Sequence, residues 1–221
     1  MRHGESPAIL FIMTVLSHLT MLPTPYFFYR RNYIFEFCCA VFGLLASFMY
    51  HTTESFGTAI FLTEIEWHRL DNVGVISMMG IWYVYLCCFQ NPFVDMSCKC
   101  FCVFFTLVVQ QKNPWDIRLT VSPILLFSLF PIVKHCLVEQ RPPSISGKHL
   151  AYGLLCFCIG IIFFILGLNE HADRYRLYHS AWHFFAGLSA FFFWVMVKAP
   201  GCTGSYGHHR HDFVVRGGAI M

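Results

Sequence analysis

Charged side chains are what this sequence has least of. They make up 12% of the 221 residues, where a soluble domain carries about 25%, so the composition is not that of an ordinary water-soluble globule. The net charge of +3 is small and dispersed along the chain, which excludes a nucleic-acid partner. There is no P-loop, no glycine-rich dinucleotide turn and no internal repeat. The first apolar segment lacks a cleavable-signal pattern and runs on into "LPTPYFFYRR", so it is expected to be retained as a span. Long polar stretches that could form a separate soluble domain are also missing.

What is present is apolar. Hydrophobic residues reach 57% and aromatic residues 18%, with a mean hydropathy of +0.56. A bilayer core of about 30 Å takes roughly 20 apolar residues per helical span, so the chain has room for about seven. Candidate segments run over residues 8–21, 33–50, 72–89, 98–109, 119–133, 149–168 and 175–197. Pro23 and Pro25 close the first, and a polar loop with Glu54, Glu64, Glu66, His68 and Arg69 follows the second. Pro123 and Pro131 fall inside the fifth, as membrane helices tolerate. The expected fold is an all-α integral membrane protein, a seven-transmembrane helix bundle over residues 1–198 with a flexible Gly/His-rich cytoplasmic tail over 199–221. Oppositely directed spans would put Arg30, Arg31, Lys99, Lys134, Arg141, Lys148, Lys198, Arg210 and Arg216 on one side. The other would hold Arg2, Arg69, Lys112, Arg118, Arg174 and Arg176. The richer side is expected to be cytoplasmic, leaving the N-terminus outside.

Eleven cysteines would mark a disulfide scaffold in a small secreted chain, but most lie in apolar segments, where cysteine packs as a small hydrophobe. The alternation in "CKCFC" (Cys98, Cys100, Cys102) sends neighbours to different helix faces. That makes a poor single-metal site; palmitoylation near the membrane surface is the other reading.

An ionisable residue inside a span is a functional hypothesis by default. Ser47 and His51 end the second segment in "ASFMYH", Asp71 opens the third in "RLDNVG", and His179 and His183 open the last in "YHSAWH". Alternation of spans places all five on one side of the membrane, whichever way the chain is inserted. Residues four apart share a helix face, so His179 and His183 can bind one ion together, and Ser47 and His51 also face one way. Three imidazoles leave the fourth tetrahedral position of zinc open, the arrangement of a catalytic site. A nearby carboxylate can then act as base. The other reading of the same residues is a hydrogen-bonded polar cluster fastening three helices. His18, near the end of the first segment, falls on the opposite side and reads as packing or interfacial. Glu36 reads as an anchor paired with Arg30 or Arg31. His208, His209 and His211 in the tail can bind metal adventitiously.

These motifs resemble the CREST superfamily of seven-pass membrane proteins, which holds the alkaline ceramidases, the adiponectin and progestin receptors and the transmembrane-protein-8/myomaker family. The stretch "LSHLTMLPTPYFFYRRNYIFEFCCAVFGLLASFMYHTTE" is similar to the first two spans of the last group, through Leu22-Pro23, Arg30-Arg31, Tyr33, Glu36 and the Tyr50-His51 end followed by Glu54. "YHSAWH" resembles that group's last span, while the middle of the chain resembles it only in hydropathy. The resemblance implies zinc ligands at His51, His179 and His183, with Asp71 holding the water at the metal and Ser47 polarising a substrate carbonyl. It implies a zinc-dependent hydrolase of a membrane lipid acyl or amide bond. The alternative it carries is a myomaker-like, non-enzymatic protein that promotes myoblast-type cell-cell fusion. A ligand receptor like the adiponectin group fits the first spans less well. The lack of a large extracellular domain favours the short, myomaker-like type, whereas the tail has only Cys202 where myomaker carries a terminal cysteine cluster. Membrane lipids are the implied partners, with a homo-oligomer or a partner membrane protein left open, and the plasma membrane is the implied location.

Overall fold

Backbone N–H and C=O groups in an apolar run have no water to bond, so such runs coil into helices that satisfy themselves internally. In the computed structural model, which describes residues 6–169 and 172–198, the chain is a helix bundle with no strand among the described residues. The expected 199–221 tail, with Cys202 and its histidines, lies outside the described residues. Among the described residues, five stretches are long and apolar enough to cross a membrane: Pro7–Arg31, Ile34–Phe56, Pro92–Gln110, Ile117–Val138 and Gly147–Gly167.

The first of these corrects the sequence reading. Pro23 and Pro25 do not close the span. Helix α1 (Pro7–Ser17) passes into a tight 3₁₀ turn, His18–Met21, and then into α2 (Pro23–Arg31). Proline is tolerated in a first helical turn, where its missing N–H would have no intrahelical partner. The helix bonds resume at once, with Tyr26 N donating to Leu22 O at 3.2 Å. His18 therefore sits in the middle of a 25-residue span, not at its far end.

Helix α3 (Ile34–Phe56) outruns the expected second segment and carries His51 within it. The expected polar loop is shorter than read, because α4 (Glu64–Leu86) begins at Glu64. Thr63 caps it, its N–H and hydroxyl both donating to Glu66 Oε2 at 2.8 and 2.7 Å. Helix α5 (Pro92–Gln110) is likewise longer than its expected segment. Asn91 caps it by accepting from Phe93 N at 2.9 Å. Then follow α6 (Ile117–Ile132) with both internal prolines, a π-helical turn at Val133–Val138, α7 (Gly147–Gly167) and α8 (Leu177–Val195). Helices α4 and α8 are long but too polar to count among the five, because Asp71, His179 and His183 lie in them.

Two apolar centres hold the bundle: Phe28, Ile81, Tyr85 and Trp194 in one, Ile76, Val84, Cys102 and Phe127 in the other. Of the three "CKCFC" sulfurs, Cys102 is buried and Cys98 and Cys100 are half-buried, the different facings expected of alternate positions. Glu36 does not pair with Arg30 or Arg31. Its carboxylate accepts from Lys99 Nζ at 2.6 Å, and Lys99 also bonds Asp95, in a buried three-charge group joining α3 to α5. A lysine four residues after an aspartate on one helix face, with a second carboxylate opposite, is how such charges stay tolerable out of water.

Close backbone contacts set the register around the polar residues. Gly43 and Gly74 meet where α3 crosses α4, and a Cβ on Gly74 would lie 2.5 Å from Gly43 Cα. A Cβ on Gly187 of α8 would lie 2.8 Å from the Thr20 backbone, and Thr20 Oγ1 donates to Phe184 O at 2.9 Å. The 3₁₀ turn is thus pressed against α8, one turn from His183.

Candidate metal centre

Four imidazoles gather where α3, α8 and the 3₁₀ turn meet. His51 is fully buried, and His18 and His183 are nearly so. His51 Nε2 lies 3.0 Å from His183 Nε2, which lies 2.9 Å from His179 Nε2. The three histidines expected as ligands are thus brought together, linked through His183. His18 joins them, contrary to expectation: its ring stacks on His183 at 4.6 Å between centroids and 28° between planes. One ligand atom each from His18, His51 and His183 lie within 4.8 Å of one another, a buried group able to hold a metal ion.

The protons on these rings can be assigned from their partners. His51 Nδ1 lies 3.1 Å from Glu54 Oε2, and a carboxylate only accepts, so Nδ1 carries a hydrogen and, in the neutral ring, Nε2 a lone pair. His18 Nδ1 lies 2.7 Å from Thr14 O; a carbonyl accepts too, so His18 Nε2 also presents a lone pair. His183 Nε2 faces two other Nε2 atoms and has at most one hydrogen for them. A cluster of lone pairs with too few protons is one that a cation stabilises. Zinc bonds of 2.0–2.1 Å at tetrahedral angles set nitrogens about 3.3 Å apart, close to the spacings of 3.0 and 2.9 Å. The three that lie mutually close, His18, His51 and His183, therefore suit a metal ion, with His179 reaching them through His183.

A second layer fixes the rings. Glu54 Oε1 accepts from Arg176 Nε at 2.8 Å and also from Nη2, forming the carboxylate–histidine arrangement that orients metal-binding imidazoles. Asp173 caps α8, its Oδ1 accepting from Tyr178 N at 2.8 Å and its Oδ2 from His179 N at 3.0 Å. Tyr175 and Arg176 both take left-handed backbone, φ 54° and 55°, which costs non-glycine residues energy and clusters at functional sites.

Ser47 and Asp71 are next to the imidazoles. Ser47 Oγ lies 2.8 Å from His18 Nε2. Asp71 is 8% exposed, and its Oδ1 is buried without a hydrogen-bond partner. Ser47, Asp71 and His183 form part of the wall of a cavity of about 440 Å³ that is otherwise largely apolar and aromatic, with Trp82, Phe157 and Phe193 among its lining.

All five sequence candidates, Ser47, His51, Asp71, His179 and His183, fall in this one region. Sequence reasoning missed three others. His18 was readable from the Thr14, Ser17, His18 stripe on one helix face, all buried, had the span been carried through the prolines. Glu54, one turn after His51, was noted only as an acid, and Arg176 only as a charge. Comparison with curated proteins finds no match. A family model described as "Protein of unknown function (DUF3522)" matches residues 6–184, a stretch that takes in every residue from His18 to His183, and the chain belongs to that family.

Proposed function

We propose that this chain is a seven-pass membrane protein of the transmembrane-protein-8/myomaker type within the CREST superfamily, and that it is a zinc-dependent hydrolase of a membrane lipid acyl ester or amide bond. Helices α4 and α8 complete the seven passes. The observation that carries the reading is the placement of a metal-capable imidazole cluster, a serine hydroxyl and an unpartnered carboxylate oxygen against one apolar cavity. When bound, zinc supplies a Lewis acid and lowers the pKa of water toward about 7.

The chain's own residues supply the rest. The apolar wall takes up an acyl chain and excludes water. Asp71 Oδ1 is the free acceptor that can take a proton beside the cluster, and the Ser47 hydroxyl is placed to orient the lipid carbonyl. Glu54 and Arg176 keep His51 Nε2 directed at the metal. The loop charges favour a cytoplasmic C-terminus and an outward-facing site, and the plasma membrane is the proposed location. In the full-length protein with His208, His209 and His211 changed to asparagine, elemental analysis is expected to find one zinc per chain. A metal-free, folded protein would remove the hydrolase reading.

A second reading is favoured by the loop between α3 and α4. Phe61 stands 96% exposed there, in left-handed backbone at φ 62°, and offers an aromatic tip to a lipid surface on the side of the membrane nearer the cluster. This is the non-enzymatic, myomaker-like reading, in which the protein promotes fusion of apposed cells. It predicts content mixing between two cell populations that express the chain, retained in Asp71→Ala, which should stop hydrolysis. Loss of mixing in that variant at normal surface level would argue against a fusion role separate from hydrolysis.

A further inference from the structure

We propose that His18 is the fourth ligand of the metal centre, an exchangeable one that gives its Nε2 lone pair either to the metal or to the Ser47 hydroxyl. The inference rests on the metal reading above and extends it, because it assigns the residue that opens and closes the site.

The two roles compete for one pair of electrons. With Nδ1 committed to the Thr14 carbonyl, His18 has a single acceptor position, and it lies 2.8 Å from Ser47 Oγ. That same ring is stacked on His183, and its ligand atom is within 4.8 Å of those of His51 and His183. Metal–nitrogen geometry asks for about 3.3 Å between ligands, so a shift of the ring toward His51 and His183 transfers the lone pair from Ser47 to the ion.

The backbone that carries His18 differs from that under the other three imidazoles. His51 is held by Glu54 and Arg176, and His179 and His183 sit on the regular turns of α8 behind the Asp173 cap. His18 stands at the junction between α1 and a four-residue 3₁₀ turn, a tighter and weaker helical form. The turn itself is kept close to α8 by the Thr20–Phe184 bond and the Gly187 contact.

The chemical consequence is a choice between two kinds of centre. Four imidazoles close a tetrahedral zinc site, as in structural centres, whereas three leave a position for water or substrate. With His18 on Ser47 the centre is open. With His18 on the metal it is closed, and Ser47 recovers its hydrogen for Asp71 or for a ligand in the cavity. An occupant that engages Ser47 oxygen or displaces its hydrogen therefore changes the coordination of the metal.

The test uses the full chain, with the three tail histidines changed to asparagine, loaded with cobalt(II) as a visible substitute for zinc and titrated with azide. His18→Phe keeps the ring stacked on His183 without a nitrogen. It is expected to bind azide at least ten-fold more tightly than the unaltered site, read from the cobalt absorption bands. Ser47→Ala removes the competing partner and is expected to weaken azide binding, the opposite direction. A purely structural role for His18 would not give opposite shifts. Equal azide affinity in all three proteins, each with one cobalt bound, would overturn the proposal while leaving the metal site intact. No cobalt in the unaltered site would overturn the metal reading itself.

Discussion

On the proposed zinc reading, a His183→Ala protein is expected to bind zinc on the order of 100-fold or more weakly than the parent chain. His183 is the hub of the cluster. Its Nε2 is 3.0 Å from that of His51 and 2.9 Å from that of His179, and its ring stacks on His18. Structural zinc binding is worth about 10–16 kcal/mol in apparent terms. Losing one of three or four ligands forfeits several kcal/mol, and each 1.4 kcal/mol is tenfold in affinity. His183→Gln, which keeps more of the buried volume, separates loss of ligation from loss of packing. Zinc titration against a competing chelator gives the affinity. Comparing the membrane lipids of cells that express parent and variant reads the function. A lipid carrying an intact acyl ester or amide bond should accumulate with the variant. An unchanged lipid profile would move the weight to the fusion reading or to a structural metal.

The second large effect lies in the packing that brings the site together. Gly74→Val is expected to cost about 3 kcal/mol or more, beyond the usual range for overpacking. A Cβ at residue 74 would lie 2.5 Å from Gly43 Cα and 3.5 Å from Gly43 N, both backbone atoms, so no side chain can rotate away. Helices α3 and α4 would have to separate, and with them Ser47 and His51 from Asp71. Gly43→Ala offers the contrast, since its Cβ would approach no closer than 3.3 Å and a shift of a few tenths of an ångström relieves it. Thermal unfolding in detergent should rank the parent above Gly43→Ala and both well above Gly74→Val. Equal melting of the two variants would show that this crossing does not hold the helices.

The sequence carried the all-helical, membrane-type character of the chain and most of the candidate site, for reasons that are local. Apolar runs without charge specify membrane-crossing helices because the backbone has no other way to satisfy itself in hydrocarbon. The i, i+4 spacing of His179 and His183, and of Ser47 and His51, fixes a shared face wherever the helix lies. Alternation of the seven expected spans would put both pairs and Asp71 at one end of the bundle, and the structure brings Ser47, His51, Asp71, His179 and His183 into one region. What fails in such reasoning is the treatment of punctuation. Pro23 and Pro25 read as a stop, and that reading sent His18 to the far side of the membrane. Proline ends a helix only where an N–H is needed, and in a first turn it is not.

Partner choice belonged to the tertiary structure alone. Glu36 had basic neighbours in sequence at Arg30 and Arg31, yet its partner is Lys99, 63 positions away. A charge that must be buried takes the counter-charge that is buried with it, and only helix packing decides which that is. The same holds for Arg176 against Glu54, 122 positions apart, and for His18 against Ser47 and His183. The sequence by itself determined the helices and the faces on which His51, His179, His183, Ser47 and Asp71 stand, because those follow from residue type and a 3.6-residue period. Only the tertiary structure decided that a fourth imidazole joins them, because that depends on a 3₁₀ turn being pressed against Gly187, where no side chain keeps the two backbones apart.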